Sequence, residues 1–240
     1  MNTKHLKAKI LDLAIRGKLV PQNSSEGNAS DLLKEIKKNH TDLQISTKSA
    51  DKKNSVTKKE LPPITQEEIP FDIPENWCWC RFKEISSLIS GQDLEPKFYN
   101  AEKKGIPYLT GASNFIHEKI IINRWTETPK SIAIRNDLLI TCKGTIGKLA
   151  FLNEEKVHIA RQIMAIRPFS AIDAKYLKYY FSYNISQLES GATSMIPGVS
   201  RDVILPMLIP LPPLAEQQRI VAKIEQIFAQ LNALEKSLGE

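Results

Sequence analysis

Leu211-Pro-Pro-Leu-Ala-Glu-Gln-Gln-Arg-Ile-Val-Ala-Lys-Ile-Glu225, continued by the residues up to Glu240, holds the most regular pattern in the chain. Ile220, Ile224, Ile227, Leu231, Leu234 and Leu238 are spaced 4-3-4-3-4, the a/d seam of a heptad, and Val221 and Phe228 widen the stripe. Pro212-Pro213 forbid helix before Leu214, and Glu216 suits the positive first turn of the helix that follows. A lone amphipathic helix of this length is marginal in water, so it needs an apolar partner. Packing on its own domain is one solution. The 3.5-residue period favours a second helix instead, and a homodimer formed through this seam would supply one.

The sequence divides into four segments. Residues 1–38 predict two short helices. Leu6, Ile10 and Leu13 recur at helical spacing with Gly17 as a C-terminal cap; then Ser30 stands as N-cap before Leu32, Leu33 and Ile36. Residues 39–63 show no period and read as a linker. Residues 64–210 alternate short β-rich runs with Gly, Pro and Asn: Ile106–Leu109, Lys119–Ile122, Asp137–Thr141, Lys148–Leu152 and Ile163–Arg167. One helix is expected over Asp173–Ser186, and the prolines at 197, 206, 210, 212 and 213 exclude helix until Leu214. Residues 211–240 form the seam helix. The predicted class is α+β: one mixed domain with irregular loops, a long coiled-coil-type C-terminal helix and short N-terminal helices.

Charge is unevenly placed. The whole excess of +6 lies in residues 1–63, with 13 Lys+Arg against 7 Asp+Glu, and residues 64–240 carry 20 of each. Net charge alone therefore does not make this a nucleic-acid binder; the basic run Lys48–Lys59 reads as a solvated linker. The apolar runs are far too short to span a membrane, and the N-terminus lacks the apolar core of a signal peptide. Three cysteines, Cys78, Cys80 and Cys142, suit a reducing, cytoplasmic compartment.

Catalytic signatures fail one by one. Gly144-Thr-Ile-Gly147-Lys148 lacks both the first glycine of a P-loop, where Cys142 stands, and its Ser/Thr, where Leu149 stands. Cys78-Trp-Cys80 has no second pair for zinc, and His5, His40, His117 and His158 are scattered. No G-x-S-x-G or dinucleotide loop is present. What remains are loops of small, polar and basic residues. Thr110-Gly-Ala-Ser113-Asn114 can donate and accept at base edges. Lys143, Thr145 and Lys148 lie on a turn able to clamp phosphate. Arg161 and Gln162 have the bidentate groups that suit guanine and adenine, although a hydrogen-bonded strand edge within the fold is the alternative for both. Thr193, Ser194, Arg201, Lys97 and Tyr99 complete the candidate DNA-binding set.

Several of these motifs resemble one family. Leu211–Glu225 is similar to the signature opening the long helix of type I restriction-modification specificity subunits, and Ile73-Pro-Glu-Asn-Trp77 resembles the opening of their target recognition domain. Arg16-Gly-Lys-Leu-Val-Pro21, within Leu6–Leu33, resembles the segment preceding that domain, and Gly144–Gly147 and Gly191-Ala-Thr-Ser194 match landmarks inside it. The resemblance spans the chain except 39–63. The family's full-length subunit has two recognition domains and two long helices; this chain shows one of each, as a natural half-subunit or as a fragment. The resemblance implies a non-catalytic subunit that reads one half of a bipartite site on double-stranded DNA. It implies that the helix docks methyltransferase subunits, which together with a restriction-translocase subunit hold the cofactors, so that none is expected in this chain. The alternative is a decoy or regulator that binds the methyltransferase through its helix without reading DNA.

Overall fold

The computed structural model describes residues 3–48, 62–189 and 200–239. The elements begin with α1 (Thr3–Ile15), α2 (Ala29–Lys48), β1 (Cys78–Arg81), the single turn α3 (Phe82–Ile85), β2 (Ser86–Ser90) and β3 (Ile106–Leu109). Short strands follow: β4 (Phe115–Ile116), β5 (Lys119–Ile120), β6 (Trp125–Thr126), β7 (Ile132–Ile134), β8 (Leu138–Thr141) and β9 (Leu149–Phe151). The chain ends with β10 (Lys156–Ile159), β11 (Ile163–Pro168), α4 (Ala174–Glu189), the turn α5 (Arg201–Ile204), β12 (Leu208–Leu211) and α6 (Leu214–Ser237). The fold is α+β, and it forms two compact units.

The first unit gathers Met1–Ile85, Phe169–Tyr183 and Pro206–Glu240. It cuts across the boundaries expected at 64 and 210, because segments distant in sequence pair inside it. β1 and β12 form an antiparallel ribbon with Trp79 opposite Pro210 and Cys80 opposite Ile209. A proline is tolerated in such a two-stranded edge. Two tyrosines one helical turn apart on α4 then donate to carbonyls of β12: Tyr176 Oη to Pro210 O at 2.5 Å and Tyr180 Oη to Leu208 O at 2.6 Å. Cys78-Trp-Cys80 is thus strand.

The α6 seam is not a free surface. Ile220 and Ile224 are fully buried and Leu231 nearly so, Ile227 is half-buried, and only Leu234 and Leu238 stand out, 47% and 62% exposed. The second helix anticipated by the 3.5-residue period is α1 of the same chain, which packs along α6. Lys7 Nζ donates to Asn232 Oδ1 at 2.7 Å, Thr3 bonds to Glu235, and Tyr179 of α4 meets Phe228 edge-on at 6.1 Å. A homodimer through the seam would therefore have to displace in-chain packing at all but its last turn.

Glu216, expected as a helix-dipole residue, is fully buried. Its carboxylate accepts from Gln22 Nε2 at 2.7 Å, Trp77 Nε1 at 2.9 Å and Asn76 Nδ2 at 3.3 Å. Gln217 beside it donates to Pro212 O at 3.0 Å and accepts the Asp173 N–H at 2.9 Å, fixing the start of α4. Arg219 pairs with both oxygens of Glu26 at 2.8 Å and so holds that carboxyl below its ordinary range.

Gly17 does cap α1: its N–H bonds Ala14 O and the Lys18 N–H bonds Leu13 O at 2.8 Å, the Schellman pattern, with φ +69°. The cap of α2, in contrast, is Asn28 and not Ser30; Asn28 Oδ1 accepts the Ser30 N–H at 2.8 Å. That helix also runs to Lys48, ten residues beyond the boundary expected at 38 and into the segment read as linker.

The second unit, Ser86–Pro168 with Asn184–Leu205, holds two four-stranded sheets, ordered β2-β11-β8-β9 and β6-β3-β10-β7, and the hairpin β4-β5. The first sheet is antiparallel; in the second, β3 and β10 run parallel. Leu109, Leu139, Leu152, Val157, Ile159 and Ile163 form its dry core. The strand Lys156-Val-His-Ile159 shows no polar–apolar alternation because all but Lys156 are buried.

Two glycines with left-handed backbone separate packing from conformation. A Cβ on Gly17 would stand 2.4 Å from Pro74 Cγ, whereas one on Gly27, φ +84°, meets nothing within 4 Å. Gly27→Ala should cost about 1–2 kcal/mol in backbone strain alone, and Gly17→Ala more, about 2–4 kcal/mol, because the Pro74 clash adds to its own strain. Urea unfolding distinguishes them, and equal losses would contradict this packing.

Candidate nucleic-acid interface

The strand register brings four loops to one end of the second unit. Because β3 and β10 are parallel, their C-terminal ends emerge together, and the Ala160 N–H bonds Leu109 O at 2.9 Å. β11 opposes β8 with Ile163 facing Thr141, so the Cys142 N–H reaches Gln162 O at 2.8 Å. Residues after β2 lie along the same edge: Gly91 N–H bonds Ile163 O at 3.1 Å and Gln92 N–H bonds Ile159 O at 2.9 Å. Lys148 Nζ crosses from the third loop to the second, donating to Ala112 O and Phe115 O, each at 3.0 Å. Loops 91–99, 110–114, 142–148 and 160–162 thus form one interlocked surface.

The sequence candidates separate on it. Ser113, Lys143, Thr145 and Arg161 are exposed. The turn at Lys143–Ile146 has Gly144 at φ +74°, open to solvent, and Ile146 at its tip is 50% exposed. Lys148 is exposed too, but its ammonium is engaged by the two carbonyls just named. Asn114 is fully buried: Oδ1 accepts the Thr110 N–H at 2.8 Å and the Gly111 N–H at 3.2 Å, and Nδ2 donates to Ile121 O at 2.7 Å. That corrects its reading as a base-reading side chain; it closes the loop that presents Ser113. Gln162 is half-buried against Gly111, and its Oε1 is buried with no hydrogen-bond partner among the described residues.

Lys97 pairs with Glu95 at 2.9 Å over the Phe98 ring, and Tyr99 packs on Tyr108, 5.4 Å between centroids, beside Leu94 and Ala160. Arg201 is directed to β2, donating to Leu88 O at 2.7 Å. Thr193 and Ser194 lie outside the described residues. The sequence reading missed Asp93, whose carboxylate holds Arg161: Oδ1 accepts the Arg161 N–H at 3.1 Å and Oδ2 lies 2.7 Å from Nε. Only the glycine two residues before it hinted at a close approach there.

Three titratable groups around the loops are shifted toward their neutral forms. Burial raises the Cys142 thiol and the Tyr108 hydroxyl and lowers the fully buried His158. In the first unit, burial pushes the Cys78 thiol up to about 11. Among the described residues no three His, Cys, Asp or Glu side chains are placed to hold a metal, and no helix is long and apolar enough to cross a membrane. The end of the unit offers hydroxyls, an ammonium, a guanidinium and an apolar tip. That inventory suits phosphate and base edges.

Residues 74–240 match the family model of the type I restriction modification DNA specificity domain. Over 95% of its length the chain is 27% identical to the type I restriction enzyme EcoAI specificity subunit of Escherichia coli, covering 40% of that protein. It aligns with the HsdS subunit from Thermoanaerobacter tengcongensis at TM-score 0.62 and 26% identity, over 98% of this chain and 53% of that one. A chain in a structure concerned with complex assembly and conformational transition of the type I R-M system gives TM-score 0.63 and 27% identity, over 97% and 52%. The chain thus spans 40% of that curated relative and about half of these solved chains.

The two neighbours in the second loop should behave oppositely on substitution. Asn114→Ala strips partners from buried backbone groups and should cost about 2–4 kcal/mol. Ser113→Ala should stay within about 0.5 kcal/mol of wild type. Thermal and urea unfolding read both, and a silent Asn114→Ala would contradict the closed loop.

Proposed function

The chain belongs to the family of type I restriction-modification DNA specificity domains, and from that membership we propose that it reads double-stranded DNA with the loop end of its second unit and performs no catalysis itself. The observation that carries this reading is the interlocked four-loop surface with Ser113, Lys143, Thr145 and Arg161 outermost. Lys143 is a compact charge at a turn and suits phosphate. The hydroxyls of Ser113 and Thr145 can donate or accept, and Arg161 matches the O6/N7 edge of guanine. Ile146 at the tip can meet a thymine methyl group.

One loop end suits one half of a bipartite site. On α6, Ala222, Lys223, Gln226, Ala229, Gln230 and Ala233 remain exposed, a shallow face of small and polar residues on which a methyltransferase subunit can dock. The cofactors and the chemistry then belong to that subunit and to a restriction-translocase subunit joined with it.

Anisotropy of a labelled mixed-sequence duplex, titrated with the chain at about 50 to 200 mM salt, tests the reading. Binding should weaken steeply with salt. Lys143→Ala should lower affinity for all sequences alike and flatten the log–log slope by about one unit. Absence of salt-dependent binding would overturn the reading in favour of an assembly decoy.

A further inference from the structure

We propose that Asp93 is a positioning residue that presents the Arg161 guanidinium as a fixed fork to one base pair. This rests on the DNA-reading function above and names where one base is chosen. Asp93 Oδ1 accepts the Arg161 backbone N–H at 3.1 Å while Oδ2 lies 2.7 Å from Nε. One carboxylate therefore grips both the main chain and the side chain of the same arginine. Nη1 and Nη2 have no partner among the described residues, and they are the two donors that match guanine O6 and N7.

The grip is built into the backbone. A Cβ on Gly91 would stand 2.0 Å from Ala160 O and 2.7 Å from Ile159 O, so the segment leading to Asp93 lies directly against the one leading to Arg161, and only glycine fits. Two hydrogen bonds, Gly91 N–H to Ile163 O and Gln92 N–H to Ile159 O, fix the crossing. Both ends of the pair thus leave well-anchored strands.

Stability does not account for the pair. The two side chains are 64% and 41% exposed, and such an ion pair contributes little to folding. On a surface that meets phosphates, a carboxylate is also a repulsive charge. What it supplies is orientation: an arginine ion-paired at Nε loses rotamer freedom before binding, so less is lost on forming a bidentate contact.

The test selects bound duplexes from a random-sequence library with wild type, Asp93→Ala, Arg161→Lys and the double variant, and measures the melting temperature of each. Wild type should enrich a motif. Asp93→Ala should melt as wild type yet lose preference at one position of that motif, by roughly tenfold. Arg161→Lys should lose the same position, and the double variant should be no worse than Arg161→Lys. Two results overturn the inference while leaving the DNA-reading function intact: an unchanged motif with tighter binding to every duplex, or losses that add in the double variant. A motif changed only together with a lowered melting temperature assigns Asp93 a structural role and overturns it as well. If wild type enriches nothing, the DNA-reading function fails first and this inference with it.

Discussion

A carboxylate removed entirely from water survives only if donors replace the water, and Glu216 has three: Gln22 from the turn after α1, and Asn76 and Trp77 from the segment before β1. Because it lies in the first turn of α6, the helix N-terminus adds favourable field. The contact joins segments 139 to 194 residues apart in sequence. Losing one of these neutral donors leaves a buried carboxylate oxygen short of a hydrogen bond, at a cost of about 1–3 kcal/mol. The Gly17 cap, its close approach to Pro74 and the Gln217 bonds to Pro212 and Asp173 surround this point. The first unit is organised around it.

The second unit follows a different logic. Its strands are short and its loop end is held by backbone bonds between neighbouring loops, with Lys148 and Asn114 as side-chain ties. Exposed groups stand directly beside more buried ones: Ser113 beside Asn114, Arg161 beside Gln162, Lys143 beside Cys142. A rigid base with replaceable outer residues lets sequence preference change without refolding.

Helix was legible wherever periodicity was strong. The α6 seam and the Gly17 cap were read correctly because they depend on local spacing and one backbone angle. The seam's partner was not legible, since covering by α1 is a tertiary choice that a 3.5-residue period leaves open. β10 and β12 were missed because buried strands do not alternate, and the prolines around β12 spoke only against helix, while its pairing with β1 is a long-range contact. The Asn28 cap lost to Ser30 in the reading because both residues are good caps. In the loops, residue type picked out segments that the fold brings together but did not separate outward from inward side chains. Asn114 and Lys148 have the chemistry of ligands and bond to the fold, and Asp93, an acid, drew no notice on a surface sought through its bases.

Whether DNA meets the four-loop end is answered most directly by hydrogen–deuterium exchange of the chain with and without a saturating mixed-sequence duplex. Protection should appear in 91–99, 110–114, 142–148 and 160–162 and leave α1 and α6 unchanged. Protection confined to α6, or no change at the loops under conditions where the duplex is bound, would contradict DNA binding at the loop end.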